Sequence, residues 1–236
     1  MPDPRRSQTV PDRRRSVAAP SGDTSRWHAD VGVPPTAWRD RDGSSQLVTP
    51  TQGEGEVDRL LAYESIRQLV ARYAVAVDAR DLDTLVHLFV DDVRVGVLGN
   101  GRAALRRSFD ESLRGIGVSI LNVGTHVIDL VSDDEATGIV YCKGEIQDGT
   151  RWINQAIVYE DQYRKSAGLW YFVRRNHRLF YGAEVGTNPL GLPPANWPEH
   201  HDGWGTVPAE WGSWRRFWAD PAEGSKDETD QRKGTT

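Results

Sequence analysis

The sequence predicts an α+β fold, a cone-shaped barrel with its N-terminal helices packed in a curved antiparallel sheet. Three observations predict it. Apolar residues recur at helical spacing from Glu56, and after Gly117 they switch to strand-like alternation that runs to residue 181. Only the short turn-forming segments SDDE, DGTR and SAG separate the β-like stretches, and connections that short join antiparallel neighbours. Helices followed by a meander belong to the α+β class. Wrapping such a sheet over the first helix leaves a cone with an open end.

In VDRLLAYESIRQLVARYAVAVDARD, Leu60, Tyr63, Ile66, Leu69, Val70, Tyr73 and Val77 share one helical face. This first helix ends at Asp78 or Ala79. Asp81 then suits the N-cap of LDTLVHLFVDD, whose apolar side is Leu82, Leu85, Val86 and Phe89 and whose end is marked by Asp91 and Asp92. VRVGVL reads as a short strand before Gly99-Asn100-Gly101, and RAALRRSFDESLRG as a third, more basic helix. SILNVGTHVIDLV, ATGIVYCKGEIQ, WINQAIVYEDQYRK and LWYFVRRNHRLFY read as four long strands.

The folded domain so defined spans residues 56–182. Residues 1–55 carry Pro2, Pro4, Pro11, Pro20, Pro34, Pro35 and Pro50 among charged and small residues, a composition that predicts disorder. Arg13, Arg14 and Arg15 leave open a basic arm for an acidic partner. Residues 183–220 contain Trp197, Trp204, Trp211, Trp214 and Trp218, too many indoles to leave in water. That segment is expected to pack on the barrel or on a second subunit, with a short helix from Pro208. If it covers the mouth of the cone, His200 and His201 could touch a ligand. Residues 221–236 are polar and expected to fray.

Composition narrows the function. The chain has 236 residues and a net charge of −5, which argues against a nucleic-acid-binding surface. Cys142 is the single cysteine, so neither an intrachain disulfide nor a Cys-based zinc site can form. No run approaches the roughly 18–20 apolar residues of a membrane span, and the arginine-rich N-terminus lacks the apolar core of a secretory signal. A cytoplasmic protein is expected. No P-loop, no G-x-G-x-x-G between strand and helix and no clustered metal-ligand spacing occurs, so a reaction without cofactor or metal is the economical expectation.

The helix, an aspartate near its end, a second helix, and a meander carrying YEDQY and a final W-x-F strand resemble the nuclear transport factor 2-like superfamily. Within it the chain is similar to the SnoaL-like branch, which includes polyketide cyclases, scytalone dehydratase and hexachlorocyclohexane dehydrochlorinase. The resemblance covers roughly residues 56–182. It implies a pocket aspartate at Asp78, whose alternative is a solvated carboxylate or a partner of Arg80 or Arg72. In the dehydrochlorinase-like pattern a histidine stands two residues before a Gly-Thr pair. Asn122 holds that place here, before Gly124-Thr125, and His126 follows two residues after Gly124.

Strict alternation would set Asn122 and His126 on one face, looking into one cavity. His126 is then a partner for Asp78, a substrate contact, or a half-buried histidine bonded to a neighbouring strand. On the last strand, alternation from Trp170 and Phe172 would turn Arg174 inward, whereas a bulge near Val173 would turn Arg175 inward instead. The family pattern W-x-F-x-x-R-N matches Trp170, Phe172, Arg175 and Asn176, and implies that Arg175 holds a leaving anion or an enolate oxygen. A surface ion pair with Glu145, Glu160 or Asp161 is the alternative. Asn122, Asn176 and His177, with Tyr73, are taken as substrate contacts, and Asp78, His126 and Arg175 as the catalytic groups.

Tyr73 stands where the dehydrochlorinase relative has a lysine, and it can donate a hydrogen bond to a carbonyl or hydroxyl. Tyr159 and Tyr163 are expected to pack against the meander, His87 to sit at the surface, and Lys143 and Glu145 to face solvent. The resulting expectation is a cofactor-independent lyase or isomerase, with dehydratase, ketosteroid-isomerase-like or cyclase chemistry, acting on a small hydrophobic oxygenated substrate. The alternative is a non-catalytic ligand-binding or accessory subunit of the same fold. The resemblance also implies a homodimer through the outer sheet face.

Overall fold

The computed structural model describes residues 54–196, 199 and 201–220. The expectations for residues 1–53, Trp197, His200 and residues 221–236 lie outside the described residues. Helix α1 spans Glu54–Asp78, α2 Leu82–His87 and α3 Arg102–Arg114. Strands β1 (Ser119–Leu130), β2 (Glu135–Asp148), β3 (Arg151–Ser166) and β4 (Leu169–Glu184) come next, then α4 (Gly212–Ala219). The strands form one antiparallel sheet in the order β1-β2-β3-β4.

Three irregularities bend this sheet. Gly124 and Thr125 together oppose Tyr141, Val173 is skipped between the pairs Phe172–Tyr163 and Arg174–Gln162, and Phe180 is skipped farther along β4. Each inserts an extra residue, which kinks the strand and exchanges the faces of the residues beyond it. Ile66, Leu69 and Val70 of α1 fill the concave side against Val140, Ile157, Tyr163 and Phe172. Leu60, placed on the buried face by periodicity, is 67% exposed.

Helix α2 is capped by Asp81, whose Oδ1 accepts from the Thr84 amide at 3.0 Å. It stops at His87, earlier than the sequence pattern suggests, because the next backbone is claimed by the sheet. Phe172 N–H donates to the Leu88 carbonyl at 2.9 Å and Val90 N–H to the Phe172 carbonyl at 3.0 Å. VRVGVL is not a strand. Gly96–Leu98 forms a 3₁₀ turn and Arg94 bridges back to Asn100. Gly96 and Gly99 take positive φ there, which a β-branched residue would resist.

The C-terminal helix α4 begins at Gly212, beyond a turn at Pro208. Its Phe217 is buried with Ala76, Val77, Leu82, Leu85 and Leu113 in a second core at the end of α1. Ser213 Oγ donates to the Ala79 carbonyl at 2.8 Å. Trp204, Trp211 and Trp218 nevertheless stay about 40% exposed, so α4 is anchored by Phe217 rather than by burying every indole. We expect Phe217→Ala to lose about 3–5 kcal/mol in urea unfolding, the usual cost of emptying an aromatic core position. Among the described residues no helix is long and apolar enough to cross a membrane.

Candidate active site

Asp78 is the last residue of α1, and the free edge of β1 holds its carboxylate. Oδ1 accepts from Ser119 Oγ at 3.0 Å and Oδ2 from the Leu121 amide at 2.9 Å. Burial pushes the carboxyl up from its ordinary 3.8 to about 6, with the Leu121, Ser119 and Arg80 contacts opposing the rise. Burial therefore dominates. A proton bound in the folded state between pH 3.8 and 6 is absent from the unfolded chain. This group's contribution to stability is thus full below pH 3.8 and is lost as pH rises through 6. Accordingly, the difference in Tm between Asp78→Asn and the wild type should shift in the variant's favour between about pH 4 and 7, as calorimetry can measure.

Arg80, an alternative partner of Asp78 in the sequence, lies behind this carboxylate and reaches it through Ser119. It occupies a left-handed conformation at φ 55°, a place that usually takes glycine after a helix. Its side chain explains the exception. It is buried, donates to the Val77 carbonyl at 2.6 Å and to Ser119 Oγ at 2.8 Å, and also reaches the Gly117 carbonyl. The ring of Trp214 from α4 covers the guanidinium, 4.9 Å from centroid to Cζ. Ser119 thereby relays between a fixed cation and Asp78.

A second cluster forms where β3 and β4 face the interior. The Val173 bulge turns Arg175 inward, and the register sets it directly opposite Asp161. Nε donates to Asp161 Oδ1 at 2.9 Å and Nη2 to Oδ2 at 2.6 Å, with both side chains almost fully buried. Burial is the largest influence and disfavours the guanidinium charge. Attraction to Asp161 and the hydrogen bonds together outweigh it, so the net direction is upward. The cation lies 4.3–4.4 Å from the rings of Tyr73, Tyr159 and Phe172. Nη1 is buried with no hydrogen-bond partner among the described residues.

Tyr73 touches Phe89, Phe109, Tyr159 and Phe172 edge-on, yet part of its surface stays accessible. Burial pushes its hydroxyl up to about 12, so it is a hydrogen-bond donor at neutral pH. His177 sits opposite Tyr159, with ring centroids 5.5 Å apart. Tyr159 and Tyr163, expected to be mere packing, face the interior beside Arg175.

Four expectations are corrected. Asn122 and His126 do not share a face, because the two residues at Gly124–Thr125 invert the alternation between them. Asn122 is exposed, whereas His126 turns inward with Ile128. Asp78 and His126 do not pair. Asp78 bonds to β1, and His126 Nε2 lies 3.2 Å from the Tyr163 hydroxyl. Asn176 points to the other face from Arg175 and donates to Glu160 Oε2 at 2.9 Å. Glu145, expected to face solvent, accepts from the buried Trp152 Nε1 at 2.9 Å. His87 is exposed and bonded to the Asp83 carbonyl.

A groove of about 340 Å³ lies between α2, α3 and α4. Its walls include Arg80, Arg106, Asp110 and Arg216 but none of Asp78, His126 and Arg175. Many of its charges are paired, as in Arg106–Asp83 and Arg114–Asp110. Among the described residues no group of three or more His, Cys, Asp and Glu is arranged to hold a metal ion.

The α+β cone thus holds a half-buried carboxylate at the end of its first helix and a buried guanidinium on its last strand. The chain belongs to the SnoaL-like domain family, which it matches over residues 58–176, within the nuclear transport factor 2-like superfamily. Gamma-hexachlorocyclohexane dehydrochlorinase of Sphingobium indicum is 29% identical over 129 residues, covering 51% of this chain and 82% of that protein. Hexachlorocyclohexane dehydrochlorinase 1 of the same species is 27% identical over 134 residues, covering 53% and 86%. The crystal structure of LinA superposes with a TM-score of 0.52 at 24% identity, covering 56% of this chain and 95% of that one, a likeness of fold.

Proposed function

We propose that the protein is a cofactor-independent lyase or isomerase that moves a proton on a small, hydrophobic, oxygenated substrate. The observation that carries this reading is the half-buried Asp78, held at both oxygens and poised near pH 6. A carboxylate with that affinity can take a proton α to a carbonyl and return it elsewhere. The electron pair left on the substrate becomes enolate charge, which the Tyr73 hydroxyl and Nη1 of Arg175, without a hydrogen-bond partner among the described residues, are suited to receive. The relatives named dehydrochlorinases favour elimination as the class. Tyr73 supplies no positive charge to a departing chloride, which favours an oxygen function over chlorine.

The test is deuterium incorporation. Incubated with small cyclic ketones in heavy water, the protein should accelerate exchange at the carbon next to the carbonyl, read by proton NMR. Exchange at the buffer rate for every ketone would instead favour a ligand-binding or accessory protein. One observation favours that second reading: Asp78 and Arg175 are each already engaged within the chain. The proposal includes a homodimer in the cytoplasm, joined at the outer sheet face where Ile120, Tyr141 and Phe180 are exposed. Sedimentation of Tyr141→Lys tests that interface.

A further inference from the structure

We infer that Nδ1 of His126 is a recognition point for a ligand hydroxyl, set up by a buried hydrogen-bonded chain through Arg175, Asp161 and Tyr163. This rests on the reading above for the kind of occupant and narrows it to a hydroxyl-bearing molecule.

The donors and acceptors leave one arrangement. Asp161, clasped by Arg175, offers only lone pairs. Tyr163 has a single proton, and its hydroxyl donates to Asp161 Oδ2 at 2.7 Å. Burial, reinforced by Asp161, drives the Tyr163 phenol far upward, so that proton stays. Its oxygen then has only lone pairs for His126 Nε2, 3.2 Å away. Nε2 must carry the hydrogen, and Nδ1 of the neutral ring is the acceptor. Burial pulls the imidazole down to about 4, with Asp161 opposing and Arg175 and Arg67 adding to the fall. The ring is neutral at pH 7.

The surrounding backbone is shaped for this chain. A Cβ on Gly138 would come within 2.9 Å of Tyr163 Cε2 and 3.0 Å of its hydroxyl oxygen, so only glycine lets that tyrosine lie here. The bulge at Gly124–Thr125 turns the imidazole inward. The ring remains half-buried rather than sealed, and Nδ1 has no hydrogen-bond partner among the described residues. A neutral acceptor in that setting favours an alcohol, enol or phenol, whose O–H satisfies it. An ether or a carbon–chlorine bond has no proton to give.

Nitrogen-15 NMR of the uniformly labelled full chain at pH 7 tests the tautomer directly. The expected spectrum shows a protonated Nε2 and an unprotonated Nδ1 for His126. In Tyr163→Phe that signature should relax toward a tautomer mixture. A protonated Nδ1 in the wild-type protein overturns the inference without recourse to any variant. Phenol and anisole then probe the ligand. Phenol should shift the Nδ1 resonance and bind at least about tenfold more tightly than anisole, the scale of one net hydrogen bond. Equal affinities, or no shift at Nδ1, contradict it. Failure of deuterium exchange would sink the lyase or isomerase reading while leaving the tautomer intact; a wrong tautomer would leave exchange at Asp78 untouched.

Discussion

Replacing Arg175 with methionine is expected to destabilise the protein by about 3–5 kcal/mol, the usual consequence of stranding one member of a buried ion pair. The partner left behind is Asp161, whose side chain is 0% exposed and which, among the described residues, would keep only the Tyr163 hydroxyl. Methionine fills similar volume among Tyr73, Tyr159 and Phe172, so lost packing contributes little. Asp161→Asn should cost a comparable amount, because the guanidinium then lacks its counter-charge. The double variant should cost clearly less than the two together, since neither charge remains to be stranded. Urea unfolding of the four proteins gives the coupling. Additive losses would mean that the two side chains act independently, contrary to their bidentate contact.

Asp78→Asn is expected to reduce ketone exchange at least about 100-fold, the low end for loss of a general base. The substitution keeps one acceptor oxygen for Ser119 or Leu121 and has nearly the same shape. A large loss of turnover with a retained fold therefore isolates the proton-carrying role. Asn122→His should leave the rate unchanged, because that side chain lies on the outer face and cannot reach the interior. This outcome separates the structural account from simple motif matching, under which a histidine at 122 would restore a pair with Asp78.

Much of the architecture was legible because its signals are local. Three connections of three or four residues leave the strands little choice but a meander, and Asp81 marks the start of α2 by its own hydrogen bonds. The side-chain directions were harder, since a single inserted residue reverses them. Gly124 within an alternating strand is the available hint of a bulge, without which alternation sets Asn122 on the face of His126. At Val173 the family pattern pointed to Arg175, and the register agrees with that inward direction. The least legible groups depend on distant partners. Asp161 looks like one more charge in YEDQY until Arg175 stands opposite it. Arg80 in a glycine-like conformation makes sense only with Ser119, Gly117 and Trp214 around it.

The pH dependence of deuterium exchange tests the central claim most directly. If Asp78 is the base, the wild-type rate should rise with pH through a midpoint near 6, where its carboxyl loses the proton, and level off above it. Asp78→Asn should lack that step. A wild-type profile without a step near pH 6, or one that survives unchanged in Asp78→Asn, would contradict proton transfer at this residue.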